Sequence, residues 1–214
     1  MKGFYFITDA SLSRAGNISD VKSALAAKVK VIQYREKHAS IKEMFEEALV
    51  LRKLCKTVTF LIDDRVDIAL GVGADGVHLG KDDMPFRVAR KILGKKKIIG
   101  LTVHSLQEAE EAQNMGADYI GVSPIFATQT KSDAGRPLGA ELLKRIRRHI
   151  SIPLVAIGGI NLNNACEVIG AGADALCALS AVLRKRDVTR EILKFQNLFH
   201  RAAAREPIRH KPHG

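Results

Sequence analysis

GADGVHLG from Gly73, GADYIGVS from Gly116 and GADALCAL from Gly172 are three copies of one pattern, each joining the end of a helical stretch to an apolar, strand-like run. The glycine suits the left-handed position just past a helix, and the aspartate can satisfy backbone donors before the strand begins. The triplets therefore read as structural punctuation, and they fall at the fourth, sixth and eighth of eight strand candidates. Those candidates are Phe4 to Asp9, Val31 to Glu36, Thr59 to Asp63, Gly76 to Leu79, Ile98 to Thr102, Tyr119 to Ser123, Pro153 to Gly158 and Ala175 to Ser180, with helical patterns in every interval. Such alternation predicts a parallel sheet. Eight units in one chain predict an α/β fold, a single-domain (β/α)8 TIM barrel over residues 1–203, with an open doubly wound sheet as the other fold.

Composition agrees with one soluble domain: 214 residues, 46% apolar and 27% charged, are enough for one sizeable core and short for two. Cys55, Cys166 and Cys177 are odd in number, fall in apolar surroundings and lack metal-ligand spacing, so buried thiols in a reducing cytosol are expected. No apolar run reaches the length of a membrane span, and MKGFYFITD leads straight into a strand pattern, which predicts a cytoplasmic protein with no membrane partner. The net charge of +11 raises the question of nucleic acid. The basic runs Lys95 to Lys97, Arg145 to Arg148 and Arg184 to Arg186 lie apart, near helix ends where cations complement the helix dipole, and there is no tryptophan for base stacking. No nucleic-acid partner is expected. Residues 204–214 close on REPIRHKPHG and read as a disordered, solvated basic tail.

In a barrel of this type the chemistry gathers at the C-terminal ends of the strands. After strand two, QYREK places Gln33, Arg35 and Lys37 on one face of an extended segment, where they can converge on an anion. DDRVDIAL after strand three and HLGKDD after strand four bring Asp63 and Asp64 near Asp82 and Asp83. Adjacent carboxylates repel unless a cation joins them, and magnesium suits few carboxylates completed by water and phosphate oxygens; capping of the following helices is the other use of these aspartates. LTVHS after strand five offers Thr102, a donor for a phosphate oxygen, and His104, which reads as a packing or capping histidine. TQTKSDAGRPLG, from Thr128 to Gly139, is too polar and too rich in Gly and Pro for a helix interior, and Thr128, Thr130 and Lys131 present hydroxyl and ammonium donors to a phosphorylated ligand. VAIGGI and LCALSA put the backbone of Gly158, Gly159, Leu179 and Ser180 at the usual barrel phosphate position.

QYREK, DDRVDIAL, GADGVHLGKDD, LTVHS, GVSPIFATQTK, DAGRPLG, PLVAIGGI and ALSA, in this order, resemble the thiamine phosphate synthase family from about Phe4 to Val182. The resemblance implies a transferase of thiamine biosynthesis that joins 4-amino-2-methyl-5-hydroxymethylpyrimidine diphosphate to 4-methyl-5-(2-hydroxyethyl)thiazole phosphate, with Mg2+ as cofactor. It further implies that Gln33, Arg35, Lys37, Asp63, Thr102 and Lys131 hold the pyrimidine diphosphate, that Arg35, Lys37, Lys131 and Thr102 serve its departure, that Thr128, Thr130, Gly159, Leu179 and Ser180 hold the thiazole phosphate, and that Asp64 and Asp83 bind the metal. The chain departs from the family pattern in carrying Asp63 where Asn is usual and Lys81 where Gln is usual. An extra carboxylate repels a diphosphate unless it is protonated or joins the metal. The other readings are a thiazole tautomerase, which has no need of the diphosphate and metal residues, and a non-catalytic phosphate-ligand binding protein. The partners expected are the two phosphorylated small molecules, and assembly into a homo-oligomer stays open.

Overall fold

In the computed structural model, which describes residues 1–128, 130 and 135–205, eight parallel strands close into a barrel in the order β1 to β8. The strands are β1 Gly3–Ile7, β2 Val31–Tyr34, β3 Thr59–Asp63, β4 Gly76–Leu79, β5 Ile98–Val103, β6 Tyr119–Val122, β7 Leu154–Ile157 and β8 Ala175–Cys177. The helices α1 Asn17–Ala26, α2 Ile41–Leu54, α3 Val66–Gly71, α4 Phe86–Leu93, α5 Leu106–Met115, α6 Gly139–His149, α7 Ala165–Gly170, α8 Leu179–Leu183 and α9 Val188–Arg205 follow and surround them. The closed barrel, not the open sheet, is the fold. Five of the expected strands end one to three residues early, β1, β2, β6, β7 and β8, and at two of them the reason is chemical: Glu36 turns back to accept the backbone N–H of His38, and Leu179 and Ser180 open α8 instead of extending β8.

Helix starts are fixed where the sequence supplies side-chain acceptors. Ser40 and Glu43 form a capping box at α2, and Ser105 accepts from Glu108 N at α5, so the first turns keep their free N–H groups satisfied. The apolar faces of the helices pack on the outside of the sheet through Val21, Ala48, Leu51, Ala89, Ala112, Leu143, Ile146, Ile192 and Phe195, all buried. A second cluster fills the lumen with Tyr5, Ile7, Val31, Leu61, Tyr119, Val155, Ala175 and Cys177. Glycines in the strands make room for the large rings there: a Cβ on Gly100 would overlap the Tyr119 ring, and one on Gly121 would stand 3.1 Å from the His78 ring.

The three GAD triplets behave as read. Gly73, Gly116 and Gly172 have φ of 67°, 88° and 98°, and the aspartates accept the backbone N–H of Phe60, Ile99 and Leu154 at 2.8, 2.8 and 2.9 Å. Each carboxylate is also bound by an arginine from a preceding helix: Arg52 to Asp75, Arg90 to Asp118 and Arg147 to Asp174. Cys55 and Cys177 are buried as expected, whereas Cys166 is exposed. It lies on the outer face of the short α7, between the inward-facing Ala165 and Val168. Helix α9 runs through Arg205, past the expected start of the tail, and residues 206–214 lie outside the described residues. No described helix is long and apolar enough to cross a membrane.

Candidate active site

A cavity of about 530 Å³ opens at the C-terminal end of the strands. It is lined by Gln33, Arg35, Lys37, Asp63, Asp64, Asp83, Thr102, Thr128, Thr130, Gly159, Leu179 and Ser180, so twelve of the residues singled out from the sequence converge on one space. Lys131 lies outside the described residues.

The acidic side of the cavity is built by β3 and β4. Asp63 ends β3, and Asp64 follows with φ of 59°, a left-handed conformation unusual for a residue other than glycine; its N–H is held by His78 O at 2.8 Å. That turn aims the Asp64 carboxyl at Asp83, whose own carboxylate is fixed by the Gly80 N–H at 2.6 Å. Burial and a hydrogen bond with the Asp64 carboxyl hold Asp83 above the usual carboxylate range. Asp63 is pushed up to about 7, first by burial and then by the charge of Asp64, although Lys37 and Arg35 pull the other way. Burial and the like charge of Asp64 together outweigh the two cations, which stand 3.5 Å from Asp63 Oδ2. The Lys37 ammonium instead contacts Asp64 directly; burial opposes its charge, but the Asp64 hydrogen bond and both aspartates raise it above the ordinary lysine value.

Arg35 is held from beneath by Asp9, with Nη1 donating to Oδ2 at 2.6 Å. Asp9 was not singled out from the sequence, although it follows β1 at the same strand end as the residues that were. It is 4% exposed, and its carboxylate also accepts the N–H and hydroxyl of Ser11.

Behind these residues a continuous line of hydrogen bonds crosses the lumen. Gln33 Nε2 donates to Asp63 Oδ1, and Tyr5 donates to Gln33 Oε1 at 2.8 Å. Tyr5 meets Tyr119, Tyr119 meets His78 Nδ1, and His78 Nε2 meets Thr102 Oγ1, each at 2.8 Å. Burial raises both phenols, so each stays neutral with one proton to give. In the state with Asp63 ionised and His78 uncharged, the links run in one direction. Asp63 can only accept, so Gln33 turns its NH₂ toward it and its carbonyl toward Tyr5. Tyr5 gives its proton to Gln33 and accepts from Tyr119; Tyr119 accepts from His78 Nδ1–H; and His78 Nε2 accepts from Thr102. In that state the Thr102 proton is given to His78, and its lone pairs are free to accept a hydrogen bond. Tyr5, Tyr119 and His78 were missed because each lies within an apolar run; the available signal was that a polar group facing a closed lumen needs a partner.

The opposite wall is made where the segment after β6 is stitched to β7. Ile125 N donates to Ile157 O at 2.9 Å and Phe126 N to Gly158 O at 3.0 Å. Gly158 and Gly159 have φ of 97° and 65°, and a Cβ on either would collide with Pro124 or Phe126. The glycine pair is therefore required by close backbone approach, and Thr128 and Thr130 line the same cavity as Gly159. Thr130 N donates to Thr128 Oγ1 at 3.2 Å. His104 is a packing residue at the rim, with Nδ1 2.5 Å from Ser123 O and its N–H donating to Glu108. Cys177 lines the floor, where burial raises its thiol and keeps it from serving as a thiolate nucleophile.

The geometry can be compared with known proteins. A model of the thiamine monophosphate synthase family matches residues 4–182. A Methanosarcina mazei protein named thiamine-phosphate synthase is 52% identical over 193 residues, covering 90% of this chain and 80% of the relative. One of the same name from Chloroflexus aurantiacus is 52% identical over 188 residues, covering 86% and 87%. The solved structure of thiamine phosphate pyrophosphorylase from Pyrococcus furiosus superposes with a TM-score of 0.86 at 41% identity, covering 93% of this chain and 96% of that one.

Proposed function

The chain belongs to the thiamine monophosphate synthase family, and on that premise we propose that its barrel mouth condenses the aminopyrimidine diphosphate with the thiazole phosphate to give thiamine phosphate and diphosphate. The observation that carries the reading is the meeting of Asp64 and Asp83 in the cavity that also holds Gln33, Arg35 and Lys37. A tautomerase or a non-catalytic phosphate-binding protein has no use for two carboxyls pressed together beside two cations.

The residues fit a divalent cation. Asp64 and Asp83 share a hydrogen bond that two ionised carboxylates cannot make, and a lysine ammonium already sits on Asp64 as a stand-in positive charge. Asp64 and Asp83 would hold Mg2+, with Asp63 close enough to respond to its charge. When bound, the ion neutralises phosphate oxygens and so favours loss of diphosphate.

The remaining work belongs to the chain itself. Arg35, oriented by Asp9, presents its guanidinium to the diphosphate, and Lys37 turns from Asp64 to the same anion; Lys131 is assigned there as well. These cations meet the charge that grows as the methylene carbon–oxygen bond breaks and its electron pair leaves with diphosphate. Thr128, Thr130 and the backbone of Gly159, Leu179 and Ser180 hold the thiazole phosphate, so that the thiazole nitrogen faces the electron-poor methylene and donates the pair that forms the new C–N bond. Thr102 accepts a hydrogen bond from the exocyclic amino group of the pyrimidine, the role its free lone pairs allow. No protein nucleophile is needed. The reading places the protein in the cytoplasm, with its two small-molecule substrates.

The test is formation of thiamine phosphate and release of diphosphate from the two purified substrates, with magnesium and then with a chelator. Magnesium-dependent product is expected, and Asp83→Ala should lose it while retaining thiazole phosphate binding. Thiazole phosphate binding without product in the wild-type protein would overturn the synthase reading.

A further inference from the structure

The GAD units before β4, β6 and β8 have a fourth counterpart before β2, and its side chains are inverted in charge. Lys28, Val29 and Lys30 stand where the other units have Gly, Ala and Asp. The backbone is the same. Lys28 N bonds Leu25 O and Val29 N bonds Ala24 O, as Gly73 and Ala74 bond Leu70 O and Ala69 O, and as Gly116 and Ala117 bond Gln113 O and Ala112 O. Lys28 even keeps the left-handed conformation of the glycines, with φ of 59°. A lysine pays a conformational penalty there that glycine avoids.

In the three other units the aspartate accepts an N–H from the neighbouring odd-numbered strand and is neutralised by an arginine. Phe4 of β1 answers to Phe60, Ile99 and Leu154, since each precedes the residue paired with the first position of the next strand. Beneath Phe4 stands Lys30, which has donors and no acceptor. Arginine is missing as well: α9 supplies Gln196, whose amide donates to Ala27 O at 2.6 Å. In place of the carboxylate there is a cavity of about 410 Å³, lined by Lys2, Lys28, Lys30 and His200 as well as Phe4 and Gln196. Among the described residues none of the three ammonium groups has an ion pair or a side-chain hydrogen bond.

We propose that this cavity, at the N-terminal end of the barrel and away from the catalytic mouth, binds a phosphate group whose oxygens stand where the other three units place an aspartate carboxylate. Several lysines around one space suit a multiply charged anion with more than two acceptor oxygens, which favours phosphate over a single carboxylate. Free phosphate and the phosphate end of a larger metabolite share this chemistry.

The test is a titration followed by backbone amide NMR at constant ionic strength, with inorganic phosphate in one arm and glycerol phosphate in the other. Saturable shifts are expected at Phe4, Lys28 and Lys30, separate from those at Gly159 and Ser180 in the mouth. A response to inorganic phosphate identifies the free ion as sufficient, and a response to the ester alone identifies a phosphorylated metabolite. Lys30→Asp restores the carboxylate of the other units and should abolish the shifts at Phe4 while leaving those at the mouth. Lys28→Gly, which relieves the backbone and removes one charge, should raise the melting temperature in phosphate-free buffer and weaken phosphate binding about fivefold, the scale of one exposed charge pair. Shifts at the mouth with none at Phe4 and Lys30, or equal shifts in both variants, would overturn the proposal whatever becomes of the synthase assay.

Discussion

Asp63 is the residue on which burial and function pull in opposite directions. Its carboxyl is raised to about 7 from an ordinary 3.8, so the folded protein holds its proton more tightly than the unfolded chain does. The sign follows: this group's contribution is fully present below pH 3.8 and is lost as pH rises through about 7. Asp63→Asn removes that loss, and its stability relative to the parent should grow by about 4 kcal/mol between pH 4 and pH 7 and then level off, as chemical denaturation at a series of pH values would show. A flat difference would refute it. His78 and Thr102 give a second expectation. In ¹⁵N-histidine spectra above pH 7, His78 should carry its proton on Nδ1, and Thr102→Val should raise the KM for the aminopyrimidine about tenfold while leaving that for thiazole phosphate unchanged. An Nε2-protonated His78 would reverse the direction of the whole line. At this scale the sequence was informative where chemistry and position coincide, as at Arg35, Lys37, Asp64 and Asp83. It was silent on Tyr5, His78 and Tyr119, because a polar atom inside an apolar run shows its purpose only when its partners, up to 114 positions away, are brought beside it.

Elements are joined at the bottom of the barrel by the aspartate–arginine pairs, and these were legible only by half. The GAD repeat disclosed the turn and the acceptor, but not the arginines, which come from helices 23 to 28 residues earlier and carry no local mark. Asp174→Ala would leave Leu154 N–H without its acceptor and Arg147 without its partner. The expected loss is about 2 kcal/mol of unfolding free energy, more than a surface ion pair alone would give, because a backbone donor is left unpaired. Urea unfolding of Asp174→Ala beside Asp174→Asn, which keeps an acceptor oxygen, separates the two effects. Strand positions were read well because runs such as Thr59–Asp63 and Gly76–Leu79 are short, apolar and bounded by turn residues, whereas the end of β8 was misplaced because Leu179 and Ser180 are as compatible with a helical turn as with a strand.

For the molecule as a whole, a sheet closed on itself leaves no edge at which one part can come away from the rest, so unfolding should be a single cooperative event. Ligands at the mouth touch the ends of most strands and should stabilise all of them together. Diphosphate, at about 100 times its dissociation constant in the presence of magnesium, should raise the melting temperature by several degrees, corresponding to roughly 2.7 kcal/mol, and Asp83→Ala should remove the magnesium-dependent part. Calorimetry showing two transitions, or an equal rise in the variant, would contradict this picture. The line of hydrogen bonds through the lumen has one more consequence. The chain has no tryptophan and three tyrosines, all about 1% exposed, and two of the three are links in that line. Tyr34 lies outside the lumen, between β2 and α2, where it donates to Glu47; the other two tyrosines make much of the near-ultraviolet signal an unlabelled optical reporter wired to the substrate pocket.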